Sequence, residues 1–177
     1  MPASSPRSSN ASSGRPDKTD RGPDFRLGIR STALLDSFED SISSQPQIEG
    51  ITRRRDASIR QACLCARIAD EYRGKDTRVL DLTGVTPIFD FFVITTATSA
   101  RQMRAIVDEV NRAMTSEGSR RIGTEGATSE TWILQDFGDI VLHVFAADAR
   151  KLYDLENLWA DAVLVDWQAY LDGLKSA

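Results

Sequence analysis

Six consecutive residues, Phe91-Phe92-Val93-Ile94-Thr95-Thr96, are aromatic or β-branched without interruption. A strand with one wet face would alternate apolar and polar side chains. This run does not, so it predicts a central strand buried on both faces beneath covering helices. Three residues later Ser99-Ala100-Arg101-Gln102 has the form of a capping box, in which the serine hydroxyl accepts from the Gln102 amide and the glutamine side chain reaches back. Met103, Ile106, Val107, Val110, Ala113 and Met114 then follow at helical spacing to about Ser116, with Gly118 just past the end.

The flanking sequence extends this β–α unit. Ile59, Ala62, Cys63, Ala66, Ala69 and Tyr72 predict a helix over 56–73, closed by Gly74. Val79–Leu82 reads as a short strand before the turn Thr83-Gly84. A further short strand is expected near 121–125. Residues 131–136 and 140–146 form a hairpin around Phe137-Gly138-Asp139. Alternation in its first strand would expose Trp132, Leu134 and Asp136 on one side and turn Ile133 and Gln135 to the other. A last helix is expected over 148–159, with Leu152, Leu155 and Trp159 on one stripe and Tyr153 and Glu156 away from it. The expected fold is α/β: a mixed sheet of about five strands with helices packed on it.

Only 12 of the hydrophobic residues fall in 1–49, and half of residues 1–24 are Ser, Pro or Gly. Such a segment cannot bury enough apolar surface to offset its ordering entropy. Residues 1–50 are therefore expected to be a disordered or loosely structured extension. One short amphipathic helix is expected there, around Leu34, Leu35, Phe38 and Ile42, and chain breaks at Gln45-Pro46 and Gly50. The compact domain is placed at 51–162, and 163–177 is a short amphipathic tail. No apolar run reaches the roughly 18 residues of a membrane span, and no secretory h-region begins the chain. Two cysteines, Cys63 and Cys65, make no disulfide framework, which points to a reducing, cytoplasmic setting.

Motifs for chemistry are sparse. One histidine, His143, and two closely spaced cysteines do not make a zinc site. Glycine-rich phosphate loops and nucleophile elbows are missing. Asp81, Asp90, Asp136 and Asp139 are the carboxylates that could pair around a metal, but no phosphate-binding element accompanies them. His143, mid-strand among apolar residues, reads as a core histidine. The chain carries 22 Lys+Arg and 26 Asp+Glu, a net charge of −4, which does not suggest a sequence-specific nucleic-acid binder. The excess acid is local: residues 125–177 hold 10 acids against 3 bases. Trp132, Tyr153 and Trp159 lie in that stretch, and aromatic anchors ringed by charge suit a protein interface with a basic partner.

Several ordered blocks carry a resemblance. Asp90-Phe91-Phe92-Val93-Ile94-Thr95-Thr96-Ala97 with Ser99, Gln102 and Ile106 resembles the D-Y-F-V-I-x-T-x-x-S-x-x-Q signature of the ribosomal silencing factor (RsfS, or Iojap-like) family. Trp132 through Asp136 and Gly138 through Phe145 resemble its W-x-L-x-D-x-G-D-x-V-x-H-x-F. Arg150, Tyr153 through Glu156, Leu158 and Trp159 resemble its A-R-x-x-Y-x-L-E-x-L-W. The match covers roughly 57–162. Phe91 stands where the family has tyrosine, and Thr98 where asparagine is common.

The resemblance implies a fold similar to nucleotidyltransferases. It also implies a cofactor-free, non-enzymatic factor that binds ribosomal protein fourteen of the large subunit and sterically blocks subunit joining when nutrients are scarce. By carry-over the partner-binding residues are Trp132, Leu134, Asp136, Gly138, Asp139, Tyr153, Leu155, Glu156 and Trp159. Two alternatives stand beside it. One is a divergent nucleotidyltransferase-like enzyme using Asp81 and Asp90 with magnesium, although Thr83-Gly84 is not the transferase Gly-Ser. The other is a homodimer paired through the same aromatic face.

Overall fold

In a computed structural model, which describes residues 45–176, the sheet has six strands in the order β3-β4-β5-β2-β1-β6. These are β1 (Lys75–Asp81), β2 (Phe91–Ala97), β3 (Gly123–Glu125), β4 (Trp132–Asp136), β5 (Ile140–Ala146) and β6 (Val163–Val165). All neighbours are antiparallel except β2 and β5, which run parallel with Phe91 opposite Ile140 and Ala97 opposite Ala146. Every residue of β2 is buried, as its uninterrupted apolar run requires.

Helices α1 (Gln45–Glu71), α2 (Ala100–Ser116) and α5 (Trp167–Lys175) belong to the core on one sheet face, with Val79, Phe91, Val93, Ile133, Leu142 and Val144. The stripe on α2 buries Met103, Ile106, Val107, Val110 and Met114, each contributing about 2 kcal/mol of apolar transfer. The opposite face gathers Leu80, Phe92, Ile94, Trp132, Leu134, Val141 and Phe145. The short helices α3 (Ala147–Tyr153) and α4 (Leu155–Leu158) contribute Ala149 and Leu155 to it.

Ser99 caps α2, accepting from the Gln102 amide at 3.2 Å. Gln102 does more than close a box. Its Oε1 accepts from the Thr98 amide (2.7 Å) and hydroxyl (2.9 Å), while its Nε2 donates to the carbonyls of Tyr72 (2.9 Å) and Arg73 (2.8 Å). One side chain thereby ties the start of α2 to the end of α1. There Arg73 takes the left-handed conformation (φ 64°). Gly74 comes so close to β2 that a Cβ would sit 2.4 Å from Thr95 Oγ1 and 2.8 Å from the Ala69 carbonyl oxygen.

The structure departs from the sequence reading in four places. Helix α1 begins at Gln45, eleven residues before the expected start, and runs through Pro46 and Gly50. A proline in the first turn forfeits no intrahelical bond, and one glycine costs only about 1 kcal/mol. Strand β4 does not alternate: Trp132, Ile133, Leu134 and Gln135 are all buried, because α3 and α4 cover the side expected to be open. The expected final helix is two helices, broken at Asp154 (φ 42°). The break re-aims the segment, so that Leu152 is exposed and Tyr153, itself exposed, packs its ring on Trp132. Val163–Val165 form a sixth strand on β1, and Trp167 is buried in the helical core with its indole N–H on the Thr77 carbonyl (3.2 Å). The helix expected around Leu34, Leu35, Phe38 and Ile42 lies outside the described residues.

Urea unfolding checks the α1–α2 tie: Ser99→Ala should cost about 1 kcal/mol. Gln102→Ala should cost more, about 2 kcal/mol, because it removes four hydrogen bonds rather than one.

Candidate partner-binding face

Along β4 and β5 the side chains facing away from α1 and α2 include the rings of Trp132, His143 and Phe145 beside Leu134 and Val141. Trp132 stacks on Phe145 with centroids 4.6 Å apart, and Tyr153 packs on the outer side of Trp132, also at 4.6 Å. His143 sits 4.8 Å from Phe92 and 5.8 Å from Trp132. Trp159 meets Phe92 edge-on at 5.6 Å, and Phe89 reaches the same ring at 5.5 Å. A continuous chain of rings thus runs from Tyr153 under α3 to Trp159 beyond α4. Each edge-on or offset pair adds about 0.5–1.5 kcal/mol beyond its buried area.

Eight of the nine candidate residues separate into three groups. Trp132 (3% exposed), Leu134 (7%) and Leu155 are buried and form the floor of the face. Tyr153 (39% exposed) and the partly buried Trp159 stand at its surface. Asp136, Gly138 and Asp139 make the hairpin turn: Asp136 Oδ1 accepts from the Gly138 amide at 2.7 Å, and Gly138 holds φ at 92°, a conformation glycine adopts without strain. That turn opens β5 and α3 follows its other end, so the structure does not bring the turn and Tyr153 into one patch. The most outward apolar groups on α3 and α4 are Leu152 (78% exposed) and Leu158 (71%), neither among the nine. Leu152 was assigned to an inward stripe by unbroken helical spacing; only the turn at Asp154 releases it. Val85 and Ile88, exposed in the loop before β2, add apolar groups that no periodicity announces.

Glu156, the ninth residue, faces inward. Its carboxylate receives the Arg150 guanidinium, with Nε at 2.9 Å from Oε1, and both side chains are mostly buried. Arg150 also donates to Thr96 Oγ1 (2.8 Å) and the Asp76 carbonyl (2.8 Å). It fastens α3 and α4 to the edge of β1 and β2. Exposed Asp148, Asp154 and Asp161 leave this segment an acidic rim, with Lys151 as its exposed base.

The carboxylates weighed for metal chemistry lie at one end of the sheet. The Asp90 amide donates to the Asp139 carbonyl (2.8 Å), and the Leu82 amide to the Asp90 carbonyl (2.8 Å). Two of the four charges, those of Asp81 and Asp139, are met by arginines. Arg54 holds Asp139 through Nε (3.0 Å) and Nη2, and Arg55 holds Asp81 at 2.8 Å. Burial pushes the Asp81 carboxyl up, but hydrogen bonds from Thr83 and Arg55 outweigh it and hold the group below its usual range. At Asp139 and at Asp81 the charge partner of the carboxylate is a guanidinium. Among the described residues, no three Cys, His, Asp or Glu side chains converge as metal ligands.

His143 is wholly buried, and neither ring nitrogen has a hydrogen-bond partner among the described residues. Burial pushes its pKa down to about 3, so it stays neutral. Its role is that of another ring in the stack.

Comparison with known proteins gives this geometry its context. Residues 55–176 match the family described as ribosomal silencing factor during starvation. The chain is 37% identical over 103 residues to the ribosomal silencing factor RsfS of Bacillus subtilis, covering 58% of this chain and 87% of that one. It is 31% identical over 101 residues to the chloroplastic protein Iojap of Zea mays, covering 57% of this chain and 44% of that one. A crystal structure of a Chromobacterium violaceum protein, 34% identical, superposes with a TM-score of 0.53 over 55% of this chain and 81% of that one.

Two measurements check the face. Arg150→Ala should destabilise the protein by about 2–3 kcal/mol, because Glu156 is left partly buried without its cation; denaturant unfolding reads this directly. For His143 the native state refuses a proton that the unfolded chain accepts below about pH 6.5. Stability is therefore expected to fall as pH drops from 7 to 5, by about 2 kcal/mol from this group. In His143→Phe that part of the slope should vanish.

Proposed function

Because this chain belongs to the ribosomal silencing factor family, we propose that it is a ribosome-binding factor acting by steric exclusion. On this reading it binds the large subunit through ribosomal protein fourteen, on the side that meets the small subunit. It thereby prevents subunit joining and represses translation under nutrient limitation, in the cytoplasm and without a cofactor. The supporting observation is the surface of α3 and α4. Leu152, Tyr153 and Leu158 are exposed, Tyr153 rests on the buried ring of Trp132, and the exposed Asp148, Asp154 and Asp161 lie in the same stretch of chain. Apolar anchors within an acidic rim suit a basic protein surface such as a ribosomal protein presents. A steric blocker needs such a surface and no reactive group, and the sheet-end carboxylates are held by Arg54 and Arg55. Of the nine carried-over residues, Tyr153 and Trp159 are proposed to touch the partner. Trp132, Leu134, Leu155 and Glu156 hold them in place, and Asp136, Gly138 and Asp139 set the hairpin.

Sucrose-gradient sedimentation tests this reading. The protein should co-migrate with isolated large subunits, not small ones, and should reduce joined ribosomes when subunits re-associate. Tyr153→Ala and Leu158→Ala should each weaken binding by about 1–3 kcal/mol with folding intact, whereas Ile51→Ala on distant α1 should bind like the parent. A folded protein that co-migrates with neither subunit rejects the proposal. Mass measured against concentration reads whether the same face pairs with a second copy.

A further inference from the structure

Helix α2 carries an arginine ridge that neither the core nor the ring face uses. Its outward positions are Arg101, Arg104, Asp108, Arg112 and Thr115, all exposed, and they run about 21 Å along the helix. Beyond its end the chain turns through Gly118 (φ 80°) into the exposed Arg120 and Arg121. There Asn111, Thr115, Gly118, Arg120 and Arg121 line a recess of about 390 Å³ with no acid in its lining. Among the described residues, Arg101, Arg104, Arg120 and Arg121 make no ion pair. Two of the acids close by in sequence are engaged or turned elsewhere. Glu109 pairs with Arg112 at 2.9 Å and accepts from the Tyr72 hydroxyl at 3.2 Å. Glu117 lines a different recess, toward α1 and α5. Asp108 is the acid that interrupts the ridge.

The C-terminal end of a helix ordinarily disfavours anions, because its last carbonyls are unmet. In α2 the carbonyls of Ala113, Met114 and Thr115 accept from the amides of Glu117, Ser119 and Gly118, and those of Asn111 and Arg112 from the hydroxyls of Thr115 and Ser116. These bonds blunt the negative end. The ridge also selects its ligand by what it lacks. A protein interface or a lipid surface is anchored by apolar side chains set among the charges, and single-stranded nucleic acid by rings that stack on its bases. The ridge positions and the recess hold neither. Ile122, exposed just beyond, has its Cδ1 beside Gly138 of the hairpin. A duplex backbone asks only for cations and polar donors repeated over more than one phosphate.

We infer that the α2 ridge and the Arg120–Arg121 recess bind the phosphate backbone of duplex RNA without reading its sequence. Arg101 and Arg104 meet phosphates along α2, and Arg120 and Arg121, with the Asn111 amide, hold one in the recess. The choice of RNA rests on the ribosomal setting proposed above; the electrostatics do not. Because α2 covers the opposite side of the sheet from the ring stack, a protein partner and an RNA backbone can be held at once.

The test uses the full chain and a fluorescent RNA duplex of about 16 base pairs, read by anisotropy between about 50 and about 200 mM salt. Binding should be indifferent to duplex sequence and fall steeply with salt. Arg120→Gln with Arg121→Gln should weaken it at least about fivefold and lower the salt slope by about 1–2, at unchanged melting temperature. Arg120→Lys with Arg121→Lys should keep most of the affinity, since a point charge suffices for a phosphate. Removing the same charge elsewhere, through Arg53→Gln with Lys151→Gln, should change binding by less than about twofold. A folded parent that leaves the duplex free at low salt overturns the proposal, and so does equal weakening by the two glutamine pairs. Displacement of the duplex by polyglutamate, or by inorganic phosphate at equal phosphate concentration, overturns it as well and assigns the ridge to an acidic protein or a free anion. All of this is read on isolated RNA, so co-migration with ribosomal subunits stands or fails separately.

Discussion

Strand β2 has no side that meets water, and its burial divides the protein into two unequal layers. On one face α1, α2 and α5 cover the sheet, chiefly with Ala, Cys, Ile, Val and Met side chains beside the single ring of Trp167. On the other face the covering is two short helices and a loop, so large rings fill the volume instead: Phe92, Trp132, His143 and Phe145. A thin cover cannot hide every apolar group it carries, and Leu152 and Leu158 remain outside. The asymmetry of the two layers is what turns a stable sheet into one with a binding side.

Local signals made part of this readable. The run at 91–96 marked the central strand, and Ser99 with Gln102 marked the start of α2 to the residue, because both are decided within a few positions of sequence. Where the deciding partner is distant, reading failed. Trp132 and Leu134 alternate with Ile133 and Gln135 as an amphipathic strand would, and only the return of α3 and α4 over that face buries them. Asp154 in a left-handed conformation has no glycine to announce it. The carried-over residues of the candidate face were found through motif blocks, which name positions without sorting floor from surface. Burial does that sorting, and it adds Leu152 and Leu158.

Charge placement follows the same two layers. Arg54 and Arg55, one turn into the exposed part of α1, neutralise carboxylates at the sheet end. Arg150 is spent inside, on Glu156 and on backbone carbonyls. With those cations engaged, Asp148, Asp154 and Asp161 face solvent with Lys151 as the exposed base among them. Internal pairing of arginines is therefore what leaves one side of a mildly acidic protein strongly acidic.

The sixth strand carries a kinetic consequence. β6 joins the sheet through three residue pairs, Val79 with Val165, Leu80 with Leu164 and Asp81 with Val163, whose members are separated by nearly half the chain. Contacts of such span repay their loop-closure entropy only after the intervening elements have assembled. The edge is consequently the last part of the sheet to zip and the first to unzip. Each opening bares the outer hydrogen-bonding row of β1, a strand edge able to recruit another chain. The exposed Val163 and Leu164 thus act less as a sticky surface than as a latch, whose fit governs how often this protein offers an unpaired edge to its neighbours.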